Sequence, residues 1–159
     1  MKSTRRISLG CSALLASSLV GISTPSHSQE TCRSQLSEIK QDIEGRLGAK
    51  ILSLQKTANQ NSPFGDAKIE LSIRLGSATN SGITPSQSRA GENIINSPSL
   101  TKTYSQRIIS SCADVASVVF RAYEYNQGWA LQPGGQLQEM KCVDPNRDNY
   151  YAWGEMGCL

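Results

Sequence analysis

Residues 67–75, Ala67-Lys68-Ile69-Glu70-Leu71-Ser72-Ile73-Arg74-Leu75, alternate apolar and polar side chains without a break. Successive side chains of a β-strand point to opposite faces. The alternation therefore predicts a strand that buries Ile69, Leu71, Ile73 and Leu75 and wets Lys68, Glu70, Ser72 and Arg74. Upstream the period changes. Leu36, Ile39, Ile43, Leu47, Ile51 and Leu54 recur every three or four residues, which predicts one amphipathic helix from Thr31 to about Ala58. A heptad reading fails at Arg46 and Lys50, so this helix is expected to pack on its own domain rather than in a coiled coil. Asn59 to Asp66 is rich in helix and strand breakers and reads as a loop.

Downstream, Gly76 to Asn93 is rich in Ser, Thr, Asn and Gly and has no period, which predicts a mobile loop at about 76–93. Ser97-Pro98 opens a second helix, since Pro suits a first turn, with Leu100, Tyr104, Ile108 and Cys112 on one face. From Val115 the pattern is that of a sheet. Val115 to Tyr125 is β-branched and aromatic, Asn126-Gln127-Gly128 reads as a turn, and Trp129 to Gln132 as a short strand. Pro133-Gly134-Gly135 turns again before Leu137 to Val143. The expected fold is α+β: an amphipathic helix, a strand, a second helix and a three-stranded antiparallel meander.

The 159 residues begin with Lys2, Arg5 and Arg6, which together account for the formal charge of +3. Ile7 to Ile22 is apolar and small with no acidic residue, and Ser26-His27-Ser28 places small residues before Gln29. This order predicts a secretory signal peptide over 1–28 and a single small domain over 29–159. The apolar run is broken by Ser and Gly and is short for a spanning helix, so no membrane association is expected after cleavage. The Arg5-Arg6 pair leaves the general and twin-arginine routes both open.

Cleavage removes Cys11 from the five cysteines and leaves Cys32, Cys112, Cys142 and Cys158. An even number in a small exported chain predicts two disulfides in a periplasmic or secreted protein, and no Cys-x-x-Cys pair supports a zinc site. In an up-down-up meander Cys112 and Cys142 would lie at opposite ends of the sheet. At ~3.3 Å per residue that is roughly 20 Å, too far for a direct bond. Cys112–Cys158 with Cys32–Cys142 is the preferred pairing, and Cys32–Cys112 with Cys142–Cys158 is the competitor.

Asn96-Ser97-Pro98-x-Leu100, Ile108-Ile109-x-x-Cys112, Lys141-Cys142-Val143-Asp144-Pro145, Trp153-Gly154 and Cys158-Leu159 together resemble small exported cyanobacterial proteins of uncharacterised function. The resemblance covers the C-terminal half and implies export but no activity.

The only histidine, His27, leaves with the signal peptide. That removes Ser-His-Asp and Cys-His nucleophiles and the usual general base near neutral pH, so no catalytic residue and no cofactor are expected. Ser37-Glu38-Ile39-Lys40 and Ser99-Leu100-Thr101-Lys102 have Ser-x-x-Lys spacing without the companion motifs and read as solvated helix residues. Glu70, Glu124 and Glu139 on expected strands leave a small histidine-free hydrolase as one alternative. A formally neutral mature chain has no basic stripe for nucleic acid.

Asp144, Asn146, Asp148, Tyr150 and Glu155 match positions 1, 3, 5, 7 and 12 of a calcium loop. Pro145 and the absence of flanking helices make a plain turn the preferred reading, with no metal. Arg121, Tyr123, Tyr125 and Trp129 form a second candidate, an outward strip suited to a polysaccharide or protein of the cell envelope. The preferred alternative puts Trp129 and Trp153 in the core. The sequence thus points to an exported, disulfide-stapled, non-enzymatic binding or scaffolding protein, with carbohydrate binding as the second reading.

Overall fold

The computed structural model describes residues 27–58, 61–64, 68–144 and 151–158. Helix α1 spans His27–Gln41 and runs into one π-helical turn, Asp42–Arg46. Strands β1 (Ile51–Ala58) and β2 (Ile69–Leu75) follow, then helices α2 (Pro85–Ile95) and α3 (Pro98–Ser111). Strands β3 (Val115–Ala122), β4 (Tyr125–Leu131) and β5 (Leu137–Glu139) precede two short strands, β6 (Lys141–Val143) and β7 (Glu155–Gly157).

The architecture is mixed α+β. One five-stranded sheet has the order β1-β2-β3-β4-β5, and β6 and β7 form a separate pair. All neighbours in the large sheet are antiparallel except β2 and β3, which are parallel. A parallel pair needs a crossover, and α2 and α3 supply it.

The alternation at 69–75 acts as read. Leu71, Ile73 and Leu75 are buried against the helices with Val118, Phe120, Ala122, Tyr104 and Ile108. Helices α2 and α3 pack on β3 and β4, and α1 packs on α3. On the other face of the sheet a smaller core joins Val119 and Ala130 to Met140 and Met156, with Trp153 and Cys158 against it. β3 is therefore covered on both sides, which is why it is buried along almost its whole length.

Several expectations are corrected. The helix expected over 31–58 stops at Gln41, and residues 51–58 form edge strand β1. The π-turn bonds Leu47 N–H to Asp42 C=O at 3.0 Å, and Gly48 then takes a φ of +74°, which reverses the chain. Within 76–93, residues from Pro85 onward are helical. Thr84 and Gln87 form a capping box, each side chain accepting from the other residue's backbone N–H.

The turn expected at Asn126-Gln127-Gly128 lies inside β4, and the reversal is at Tyr123-Glu124. Gly128 is there for a close approach. A Cβ on it would fall 2.7 Å from Met140 Sδ and 3.0 Å from Met156 Sδ. The last expected strand divides: β5 ends at Glu139, and Lys141–Val143 instead pairs in parallel with β7.

The disulfides are Cys32–Cys112 and Cys142–Cys158, not the preferred Cys112–Cys158 with Cys32–Cys142. Helix α1 runs antiparallel to α3. Cys32 meets Cys112, Glu38 meets Arg107 at 3.2 Å and Asp42 meets Tyr104, so the first bridge closes the far end of a helix pair. The chain leaves the large sheet after Glu139, which carries Cys142 away from the end of the meander and places it beside Cys158.

Candidate functional site

The face of the sheet opposite the helices carries a set of polar groups from different strands. Glu70 and Ser72 of β2 point to this face, as does Arg121 of β3, because each alternates with a core residue. Arg121 Nε donates to Ser72 Oγ at 3.1 Å, and its terminal nitrogen lies 3.5 Å from Glu70 Oε1. Across the sheet Glu70 is in register with Ser117, and Ser117 with Ala130. The hydroxyl of Ser117 is fully buried and has no hydrogen-bond partner among the described residues.

The C-terminal segment overhangs the end of this row. Trp153 Nε1 donates to Leu131 C=O at 2.8 Å, which fixes the indole over the sheet. Phe64, from the loop between β1 and β2, meets that indole edge-on with centroids 5.9 Å apart. Asn61 of the same loop donates to Tyr151 C=O at 2.7 Å, and Asn126 donates to Gly157 C=O at 3.0 Å. A cation, a carboxylate and the Ser72 hydroxyl thus meet on the face whose Leu131 end Trp153 caps, and Tyr151 of the same C-terminal segment is exposed. Such a set can hold a polar, hydroxyl-bearing ligand through charge-assisted bonds and ring contact.

The strip of Arg121, Tyr123, Tyr125 and Trp129 is not assembled as a strip. Arg121 faces away from the helices, whereas Trp129 is buried under α3. Its Nε1 donates to Thr101 Oγ1 at 3.0 Å, and Lys102 Nζ stands 5.4 Å from its ring centroid. Tyr123 and Tyr125 are exposed at the β3–β4 turn. Of the strand carboxylates, Glu70 is on β2 and Glu139 on β5, about 14 Å apart by strand spacing and on opposite faces. Glu124 is in the turn. The three do not form a pair.

Of the calcium-spaced residues, Asn146, Asp148 and Tyr150 lie outside the described residues. Asp144 follows β6, and Glu155 opens β7, where its carboxylate accepts from Ala152 N–H at 3.0 Å. The flanks are strands rather than helices. Ser37 and Lys40 are exposed on α1, and Ser99 and Lys102 on α3.

Two features were not visible in the sequence. A shallow cleft of about 380 Å³ lies between α2, α3 and Leu47, with Ala90, Ile94 and Leu100 in its lining and Arg89 and Asn93 also facing it. The second is the network at the π-turn. Asp42 accepts from both Arg46 and the Tyr104 hydroxyl, and these two bonds hold its carboxyl down at about 2. Burial and the bond to Asp42 push the Tyr104 phenol up to about 12. Only the Asp42 and Arg46 spacing, four residues apart on one turn, gave any sign of it.

Among the described residues no helix is long and apolar enough to cross a membrane, and no group of three or more His, Cys, Asp and Glu is placed to hold a metal ion. Comparison of the chain with known protein families, curated proteins and solved structures finds no match.

Proposed function

We propose that this chain is an exported, non-enzymatic binding protein of an oxidising compartment, with a sheet stapled on both faces. The observation that carries the reading is the placement of the disulfides. Cys32–Cys112 ties the helix layer to itself, and Cys142–Cys158 ties the segment that covers the other face. Bonds of this kind persist outside the reducing cytoplasm. The basic, apolar and small-residue order of residues 1–28, and the resemblance to small exported cyanobacterial proteins, support the same location.

The ionisable chemistry supports binding rather than catalysis. Carboxylates on several elements are engaged by cations: Asp42 by Arg46, Glu44 by Lys50, Asp114 by Lys56, Glu38 by Arg107 and Glu70 by Arg121. These pairs engage the carboxylates in structural contacts, and the bonds from Arg46 and Tyr104 hold Asp42 well below the ordinary carboxylate range, which makes it a weak base.

The ligand surface we assign is the Glu70, Ser72 and Arg121 face together with the exposed Tyr151, and the ligand class is a hydroxyl-rich polymer of the cell envelope. Co-sedimentation of the mature protein with isolated envelope polysaccharide tests this. The wild type is expected to pellet with the polymer, and Arg121→Ala and Tyr151→Ala to remain in solution while melting cooperatively. Equal pelleting by all three, or release of soluble sugar from the polymer, would overturn the assignment.

A further inference from the structure

The two edges of the large sheet differ. β5 is three residues long, and the chain turns off it at Met140. β1 is eight residues long, and no described strand pairs with its outer edge. The backbone register shows which groups that edge presents. Ile69 N–H donates to Asp114 C=O at 2.8 Å, away from β1. Ala58 is opposite Ile69, so its own N–H and C=O point outward, and alternation makes Lys56 and Leu54 do the same. At the other end of the strand the Ile51 N–H is already bonded to Glu44 Oε1 at 3.1 Å. The open stretch is therefore Leu54 to Ala58.

The side chains there are those of a pairing edge. Leu52 and Leu54 are each 39% exposed, and the other exposed large apolar side chains among the described residues are tyrosines. β1 contains no proline. Its register irregularity lies between Ile51 and Ser53, outside the open stretch, and its single charge, Lys56, is bonded to Asp114 at 2.7 Å. A long edge whose one charge is engaged in this way can recruit another strand.

We propose that a second copy of this chain pairs with β1 in antiparallel fashion about a two-fold axis at Gln55, making one continuous ten-stranded sheet. The register follows from charge. An axis at Lys56 would set Lys56 against its own copy, and like charges directly opposite are destabilising. An axis at Gln55 sets Leu54 against the partner's Lys56, joins outward-pointing groups to outward-pointing groups, and lets the lysine stem cover the leucine. The arrangement closes at two copies, because the remaining edges are the short β5 strands.

Sedimentation velocity on the mature, oxidised protein tests the pairing, with three variants. The wild type is expected to sediment as a dimer. Leu54→Lys places two cations opposite each other at both symmetric positions and should yield a monomer. Leu54→Glu places a carboxylate opposite the partner's Lys56 and should retain the dimer, with dissociation promoted by salt. Leu54→Pro removes one outward donor without touching a bond to β2, and should also be monomeric while melting within a few degrees of wild type. A wild type that stays monomeric into the high micromolar range would overturn the proposal. So would identical behaviour of the Lys and Glu variants.

Discussion

The Tyr104 hydroxyl on α3 donates to the Asp42 carboxylate at the π-turn, 62 residues away in the chain. With Cys32–Cys112 at the other end, this bond fixes both ends of the α1–α3 pair.

Tyr104→Phe keeps the ring, which lies 6.4 Å from that of Phe120, and removes only the bond. It is expected to cost about 1–2 kcal/mol of stability, measured by denaturant unfolding, since a hydrogen bond to a charged group is at stake in a partly wet site.

The Asp42 carboxyl titrates at about 2 when folded, against an ordinary 3.8. A depressed folded pKa contributes stability that is complete above the unfolded pKa and is lost as pH falls through the folded one. The melting temperature should therefore drop between pH 4 and pH 2, and Asp42→Asn should flatten that part of the profile. Tyr104 acts at the other extreme. Its raised pKa means that its contribution is lost between about pH 10 and pH 12.

Tyr123 has a φ of +51° at the β3–β4 turn and is 60% exposed. A non-glycine side chain in this region costs about 1–2 kcal/mol, and glycine returns part of that as unfolded-state entropy. Tyr123→Gly is expected to stabilise the protein by up to about 1 kcal/mol.

Gly128→Ala should do the reverse. The added methyl meets both methionine sulfurs of the smaller core, and overpacking of this kind costs about 1–3 kcal/mol. Restoring space with Met140→Leu should recover part of the loss.

The two disulfides close loops of different length, with sequence separations of 80 and 16 residues. Chain-entropy arguments give about 4–5 kcal/mol for the longer loop and about 3 kcal/mol for the shorter. The double alanine variant at Cys32 and Cys112 should therefore lose more stability than that at Cys142 and Cys158. Mild reductant should open Cys142–Cys158 first, because Cys142 is exposed while Cys32 and Cys112 are buried.

Legibility in the sequence followed the strength of the local signal. The period of two at 69–75 and the Ser97-Pro98 helix start were unambiguous and match β2 and α3. β1 was masked because Ile51 and Leu54 continue the helical spacing of Ile43 and Leu47. Gly45 and Gly48 carried the contrary signal. α2 was hidden by its Ser and Asn content, although Thr84-Pro85-Ser86-Gln87 holds both the N1 proline and the capping box. The site at Glu70 and Arg121 joins residues 51 apart through a parallel pairing that no local pattern encodes. The pairing of the cysteines depended on where the chain leaves the sheet, and a three-residue strand gives too little pattern to show that.

Intact mass with non-reducing peptide mapping tests the proposed export and the two bridges at once. Protein recovered from the periplasm or medium should have the mass of a chain beginning at Gln29, less four hydrogens. Its digest should contain Cys32 linked to Cys112 and Cys142 linked to Cys158. A cytosolic protein that retains Met1 and free thiols, or a digest linking Cys112 to Cys158, would contradict them.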